Sequence, residues 1–434
     1  MGTQPSCFCT IIPPYMLEAI RRNGTAEQRA AVAETLALES EIRAARLVNI
    51  PSDALAGAGG APHKNRTVYS ASNGTSLPGT LERKEGQSAT GDAAVDEAYD
   101  GLGATFDLYW DVFGRDSING SGNDLIATVH YGNKYNNAFW NGSQMIFGDG
   151  DGTIFNRFTI AIDVEGHELT HGVTAATANL TYKDQSGALN ESVSDCFGSM
   201  VKQRSKGQTS AQADWLIGAG LLASGIHGVA LRSMQAPGTA YNDPLLGKDP
   251  QPDHMSKYVT TTADNGGVHT NSGIPNKAFY LVATRLGGHS WDKAGPIWYK
   301  SLTDPRLSSN ASFLDFATIT VDNANTLYGS SARDVVAGAW HDVGIDVPKG
   351  PRVGVQFTGT LAARASGNWF TFNWPAQWHV VWTVVPTTPA AGAPQIGWRT
   401  RVERSSNDFA SYWINVTNLT NAQVGFEARF AVLN

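Results

Sequence analysis

Cysteine is scarce in this chain: three occur among 434 residues, at Cys7, Cys9 and Cys196. That count rules out a disulfide framework. Stability has to come from apolar burial, and the length implies roughly two to four domains rather than one core. No apolar run approaches the length that spans a bilayer, and the first residues lack the cationic start and long apolar stretch of a secretory signal. Basic residues number 32 against 39 acidic ones, a net charge of −7, and no basic stripe is available to neutralise phosphates. Nucleic acid is excluded as a partner on that ground, and a soluble chain without a membrane span is expected.

What is present is a concentrated run of metal-ligand chemistry. His167-Glu168-Leu169-Thr170-His171 puts two imidazoles at i and i+4, on one helix face, where both reach a single Zn²⁺. Glu168 projects beside them as a general base. A catalytic zinc takes a third protein ligand and keeps one position open. Glu191, in Asn190-Glu191-Ser192-Val193-Ser194-Asp195, is the candidate, on a second helix that starts after a loop over residues 179–187. Asp195 follows at i+4 on the same face, placed to accept the free N–H of a ligating imidazole.

On these residues, and on Asn137-Ala138-Phe139-Trp140, Leu231-Arg232-Ser233-Met234 and Gly266-Gly267-Val268-His269-Thr270-Asn271-Ser272-Gly273 in the same order, the chain resembles the thermolysin-like metalloproteases over residues 65–347. Ile11-Ile12-Pro13-Pro14-Tyr15-Met16-Leu17 and the segment 86–103 resemble the protealysin branch. The resemblance implies a zinc endopeptidase of α+β class with a β-rich lobe and a mainly helical lobe, made as a self-processed precursor whose propeptide inhibits it. It also implies roles: Tyr182 and His269 as donors to the oxyanion, Asp264 positioning His269, Asn137 and the Ala138 backbone holding an extended substrate, and Arg232 binding a carbonyl on the leaving-group side. Phe155, Phe158, Val164, Ile217, Leu221 and Leu231 stand at the positions lining the primary pocket. Their apolar character points to substrates with Leu, Phe or Ile just after the scissile bond, with broad specificity because apolar discrimination is only about 1–3 kcal/mol per methylene.

One departure from the family concerns calcium. Of the carboxylates that build the double calcium site of thermolysin, Asp163 and Asp214 remain, while Lys202, Leu216 and Ala219 occupy the other positions. An ammonium there repels Ca²⁺, so the double site reads as lost, with Lys202 pairing with Asp163 or Asp214 and a different calcium site still open. Gly148-Asp149-Gly150-Asp151-Gly152 lacks EF-hand spacing and reads as a tight turn.

The organisation follows from composition. Residues 1–60 hold the Pro-Pro segment, a helix over 25–48 and a Gly/Ala-rich link, read as a short propeptide. Residues 61–160 form the β-rich lobe with strands near 67–71 and 126–131 and a helix over 91–113; residues 161–349 form the helical lobe with the zinc site. Beyond Lys349-Gly350-Pro351, residues 350–434 show short alternating runs at 353–357, 379–385, 412–416 and 424–432, the pattern of a small antiparallel sandwich. Its tryptophans, Trp369, Trp374, Trp378, Trp382, Trp398 and Trp413, read mainly as core, with protein or carbohydrate as the ligands open to such a module. Cys196 reads as a small core residue; Cys7 or Cys9 offers a thiolate for the open zinc position in a precursor. The family is often extracellular, against the missing secretory signal, so a cytoplasmic location stands as the alternative. The competing function is a catalytically silent binding or adhesion protein, against which the retention of Glu168, Tyr182 and His269 argues.

Overall fold

The computed structural model describes residues 10–48, 63–347, 352–376, 378–406 and 409–433. The chain divides into two compact units, Met1–Val347 and Pro348–Asn434.

The first unit opens with α1 (Pro14–Asn23) and α2 (Ala26–Val48). Pro13 and Pro14 fix the entry to α1, where a missing N–H costs nothing. A five-stranded sheet follows, built from β1 (Arg66–Ser70), β2 (Thr80–Lys84), β3 (Leu125–Val129), β4 (Ala138–Trp140) and β5 (Met145–Phe147) in the order β2-β1-β3-β5-β4. β1, β3 and β5 run parallel, and α3 (Ala93–Phe113) lies in the crossover between β1 and β3. Asp92 caps α3 by accepting the N–H groups of Ala94 and Val95, and Gly114 ends it in the left-handed region. β4 pairs with β5 only, which leaves one side of β4 as a sheet edge.

His130 ties that cap to the sheet. Its Nδ1 lies 2.8 Å from Asp149 Oδ2 and its Nε2 3.1 Å from Asp92 Oδ2. The hydrogen bond to Asp149 leads, burial opposes it, and the charges of both aspartates raise its pKa to about 9. A folded-state pKa above the unfolded value means that this stabilisation is complete below about pH 6.5 and is lost as pH rises through about 9. His130→Asn, chosen because His130 sits at φ +53 and Asn tolerates that region, is expected to lower the melting temperature more at about pH 6 than at about pH 10. An equal loss at both would show that the imidazolium is not the source.

Helices fill the rest of the unit: α4 (Ile162–Ala175), α5 (Asp184–Ser205), α6 (Asp264–Asn271), α7 (Gly273–Leu286), α8 (Ala294–Leu302) and α9 (Phe313–Asp342), with the short pairs β6 (Leu216–Ile217) with β7 (Arg232–Ser233) and β8 (Asn242–Asp243) with β9 (Gly247–Lys248) between α5 and α6. α5 starts at Asp184, earlier than the sequence suggests; the loop ends at Lys183 and Gly187 lies inside the helix. α4 and α5 approach closely because Gly166 and Gly198 face each other. A Cβ on Gly198 would stand 2.3 Å from the Asp163 carbonyl oxygen, and one on Gly166 would stand 3.0 Å from Gly198 Cα.

The second unit is two three-stranded antiparallel sheets. One is β10 (Arg352–Leu361), β15 (Val424–Val432) and β12 (Val380–Pro386); the other is β11 (Ser366–Pro375), β14 (Phe409–Asn418) and β13 (Ile396–Glu403). Trp374 and Trp382 are buried with Ile414, Val416 and Phe426, and Trp369 and Trp378 pack against that core. Trp398 and Trp413 are exposed. β11 and β13 were not legible as strands: β11 carries aromatics on both faces and a bulge after Thr371, and the edge strand β13 alternates into arginines.

Candidate active site

α4 carries His167, Glu168 and His171, and α5 carries Glu191, all buried. The donor atoms of His167, His171 and Glu191 lie within 4.8 Å of one another. His167 Nδ1 is 2.7 Å from Asp195 Oδ1, and His171 Nδ1 is 2.9 Å from Asn190 Oδ1 and 3.1 Å from Ser194 Oγ. A carboxylate and an amide oxygen both accept, so each Nδ1 bears the proton and each Nε2 is left with a lone pair. The two Nε2 atoms face each other at 3.0 Å, and Glu191 Oε2 has no hydrogen-bond partner. Two lone pairs and a carboxylate aimed at one point repel unless a cation lies there. This nitrogen-rich, buried set fits Zn²⁺. Burial lowers the His167 pKa despite Asp195, and the surrounding imidazoles hold Glu191 below its usual range against burial.

Asp195 is itself held from three sides. Arg232 donates from Nε and a terminal nitrogen, both at 2.8 Å, and Asn276 Nδ2 donates at 2.8 Å. Burial alone would raise its pKa; Arg232 and His167 outweigh it and keep the carboxyl ionised far below the usual range.

Glu168 Oε2 accepts the Trp140 N–H at 3.1 Å, which links α4 to the sheet edge, and Oε1 has no hydrogen-bond partner. Burial and the neighbouring Glu191 push its pKa well up. Tyr182 donates its hydroxyl to Glu191 Oε1 and stands 3.2 Å from His269 Nε2. His269 Nδ1 lies 2.7 Å from Asp264 Oδ1, and its backbone N–H reaches Asp264 Oδ2 at 3.0 Å. Burial pulls His269 down, but Asp264 and Glu191 raise it to about 9. α6 reaches this position through left-handed backbone at Asn265, Gly266 and Gly267; a Cβ on Gly266 would meet Asp184 Oδ1 at 2.1 Å.

The N-terminal segment runs along the sheet edge. The Ile11 N–H donates to the Ala138 carbonyl at 3.2 Å, the Ile12 N–H to Asn137 Oδ1 at 3.0 Å, and Arg232 donates to the Ile11 carbonyl at 3.2 Å. From α2, Glu39 Oε1 accepts Asn137 Nδ2 at 2.7 Å and Thr35 Oγ1 accepts the Asn136 N–H at 3.2 Å. Ile11 and Ile12 are fully buried in the core that also holds Phe155, Phe158, Val164, Ile217, Leu221 and Leu231. Within it the Phe155 and Phe158 rings are 5.9 Å apart, and Leu221 and Leu231 flank Gly218.

Lys202 Nζ lies 3.0 Å from Asp163 Oδ2, 2.9 Å from Asp214 Oδ1 and 2.7 Å from the Leu216 carbonyl oxygen. It pairs with both aspartates rather than one; burial opposes its charge, and the two carboxylates outweigh it. In the Gly/Asp run, Asp151 Oδ1 accepts the N–H groups of Thr153 and Ile154, as a turn requires. Cys196 is buried, and Cys7 and Cys9 lie outside the described residues.

Sequence reasoning assigned no role to Asn190, Ser194, Asn276 or the Trp140 N–H. Asn190 and Ser194 carried a signal, one residue before and three after Glu191 on the same helix; Asn276 and Trp140 meet the site only through tertiary packing.

Residues 59–175 match the thermolysin metallopeptidase catalytic domain and residues 178–345 its alpha-helical domain. An extracellular metalloprotease of Pectobacterium carotovorum subsp. carotovorum is 56% identical over 340 residues, 78% of this chain and 97% of that one. Protease PrtS of a Photorhabdus strain is 47% identical over 355 residues, 80% and 95% of the two chains. The solved precursor of protealysin from Serratia proteamaculans superposes with a TM-score of 0.71 at 54% identity, covering 78% of this chain and 99% of that one. With both family domains matched in order and a relative covered almost end to end, the chain belongs to the thermolysin metallopeptidases, on their protealysin-like side, and is a zinc metalloendopeptidase made as a precursor.

Proposed function

We propose that His167, His171 and Glu191 hold the zinc and that Glu168 is the general base. The carrying observation is the pair of Nε2 lone pairs aimed at each other beside the unpartnered Glu191 oxygen. Zinc supplies a Lewis acid that polarises the scissile carbonyl and acidifies water. Glu168 Oε1 takes the proton of the attacking water and delivers it to the leaving nitrogen. Tyr182 and His269 donate to the oxyanion, with Asp264 fixing the His269 ring. Asn137, the Ala138 carbonyl and Arg232 hold the substrate main chain, and the apolar residues around Leu221 and Leu231 receive the side chain after the scissile bond.

In the precursor, residues 10–12 take the main-chain partners meant for substrate, which makes the segment before about residue 60 an inhibitor that the enzyme removes by its own action. Residues 61–160 and 161–349 are the two catalytic lobes and 350–434 an accessory module. Lys202 stands where thermolysin binds calcium, so no double calcium site forms. Extracellular action is favoured by the relatives, among them one described as extracellular.

The test is a matched pair of assays. Glu191→Ala is expected to lose stoichiometric zinc and chelator-sensitive casein hydrolysis together, because a three-ligand site lacking one ligand cannot keep its geometry. Full zinc in the variant would put the metal elsewhere. Ending the chain at Val347 is expected to leave cleavage of a short peptide with Leu after the scissile bond largely intact, since the proposed chemistry lies within residues 137–269 and domains generally fold alone. A folded truncated chain that no longer cuts it would show that the second unit contributes to the cleft.

A further inference from the structure

We propose that the outer face of the sheet β11-β14-β13 binds a polyanionic pyranose chain. In a two-sheet unit the outward positions of each strand ordinarily carry polar residues. Here Phe370, Phe372 and Trp413 stand outward, 48%, 61% and 47% exposed. Their rings form one group: Phe370 to Phe372 centroids are 5.6 Å apart and Phe370 to Trp413 centroids 4.5 Å apart. The inward residues beside them, Trp369, Ile414 and Val416, already supply the core, so the outward trio is not needed to close the unit.

Strand register places charge next to this group. Phe370 is opposite Trp413, which is opposite Arg401; Asn368 is opposite Asn415, which is opposite Arg399. The two rows are two residues apart, and therefore on the same face. Both arginines are exposed, and neither has an ion-pair partner among the described residues. The residues from Pro348 to Asn434 hold seven Lys and Arg against three Asp and Glu, while the rest of the chain holds 25 against 36. A net +4 unit attached to a net −11 unit concentrates attraction for anions on the small one.

Aromatic faces stack on the apolar faces of sugar rings, the exposed Asn368 amide nitrogen, oriented by the bond from Asn415 to Asn368 Oδ1, suits hydroxyls, and guanidinium forks suit carboxylates or sulfates bidentately. An exposed array of this kind fits a chain of linked rings carrying acidic groups.

Affinity electrophoresis of the full chain in the Glu168→Gln background tests this, with carboxymethylcellulose and cellulose sulfate as the two anionic probes. Hydroxyethylcellulose supplies the same backbone without charge, and poly-L-glutamate supplies charge without rings. Retardation by either anionic cellulose is expected, the stronger of the two naming the acidic group. Arg399→Gln with Arg401→Gln is expected to raise the dissociation constant at least tenfold, and Phe370→Ser with Trp413→Ser to do the same at low salt, with melting temperature recording that each variant folds. Cleavage of a short peptide by the same variants carrying Glu168 stays unchanged. Absence of retardation, equal retardation by hydroxyethylcellulose or poly-L-glutamate, or folded variants that bind as the parent does would each overturn the assignment.

Discussion

Glu168→Gln is expected to retain zinc, to lose peptidase activity by about 10²–10⁴-fold, and to accumulate as the uncut chain. The substitution keeps the shape of the side chain and its acceptor for the Trp140 N–H, yet removes the atom that accepts a proton. None of the three proposed ligands is touched, so metal content measured on the purified protein separates a missing base from a missing ion. Activity within tenfold of the parent would end the assignment of Glu168. Accumulation of the uncut chain tests self-processing separately: if the variant is shortened normally in a host lacking other proteases, maturation does not depend on this base.

Lys202→Glu carries the largest expected effect on stability. Lys202 is buried between Asp163 and Asp214; Asp163 Oδ2 accepts from Lys202 and from the Gly218 N–H, and Asp163 Oδ1 has no hydrogen-bond partner. The substitution turns a cation into a carboxylate facing buried Asp163 and exposed Asp214, and breaking the buried pair with Asp163 costs about 3–5 kcal/mol. Added calcium should then return part of the loss, because oxygen ligands without a cation are what Ca²⁺ takes. The parent should gain little from calcium. Melting temperatures of both proteins with calcium and with a chelator decide the matter. An unchanged melting point in the variant would mean that Lys202 is a solvated surface charge, and a strong calcium requirement in the parent would call for a site elsewhere.

The two-helix arrangement was readable in the letters because His167, His171, Glu191 and Asp195 are spaced by helical turns, and helical spacing survives without tertiary information. The boundaries were less so. Gly187 reads as a loop residue by type, but it sits inside α5, where a Cβ would run into Val268 and Tyr182; packing, not turn chemistry, selects that glycine. The contacts of residues 11 and 12 were invisible for a different reason. On residues 11 and 12 they use main-chain N–H and C=O groups, which leave no trace in the identity of those two side chains. The tryptophans of the second unit read mainly as core, and Trp369, Trp374, Trp378 and Trp382 are; but Trp374 and Trp413 are the same letter, and only register with neighbouring strands separates a buried ring from an exposed one.

The grip on the main chain of Ile11 and Ile12 by the Ala138 carbonyl and the side chains of Asn137 and Arg232 has a kinetic consequence. Three hydrogen bonds worth roughly 1 kcal/mol each act together with the burial of Ile11 and Ile12, and a segment free in solution would have to find all of these contacts at its bulk concentration. Joined to the same chain, it is present at an effective concentration of about millimolar, independent of how dilute the protein is. Cutting the connection turns that intramolecular partner into a separate peptide at the concentration of the enzyme itself. Dilution then favours release from the sheet edge, so a single cleavage would act as a one-way valve without any change in the contacts.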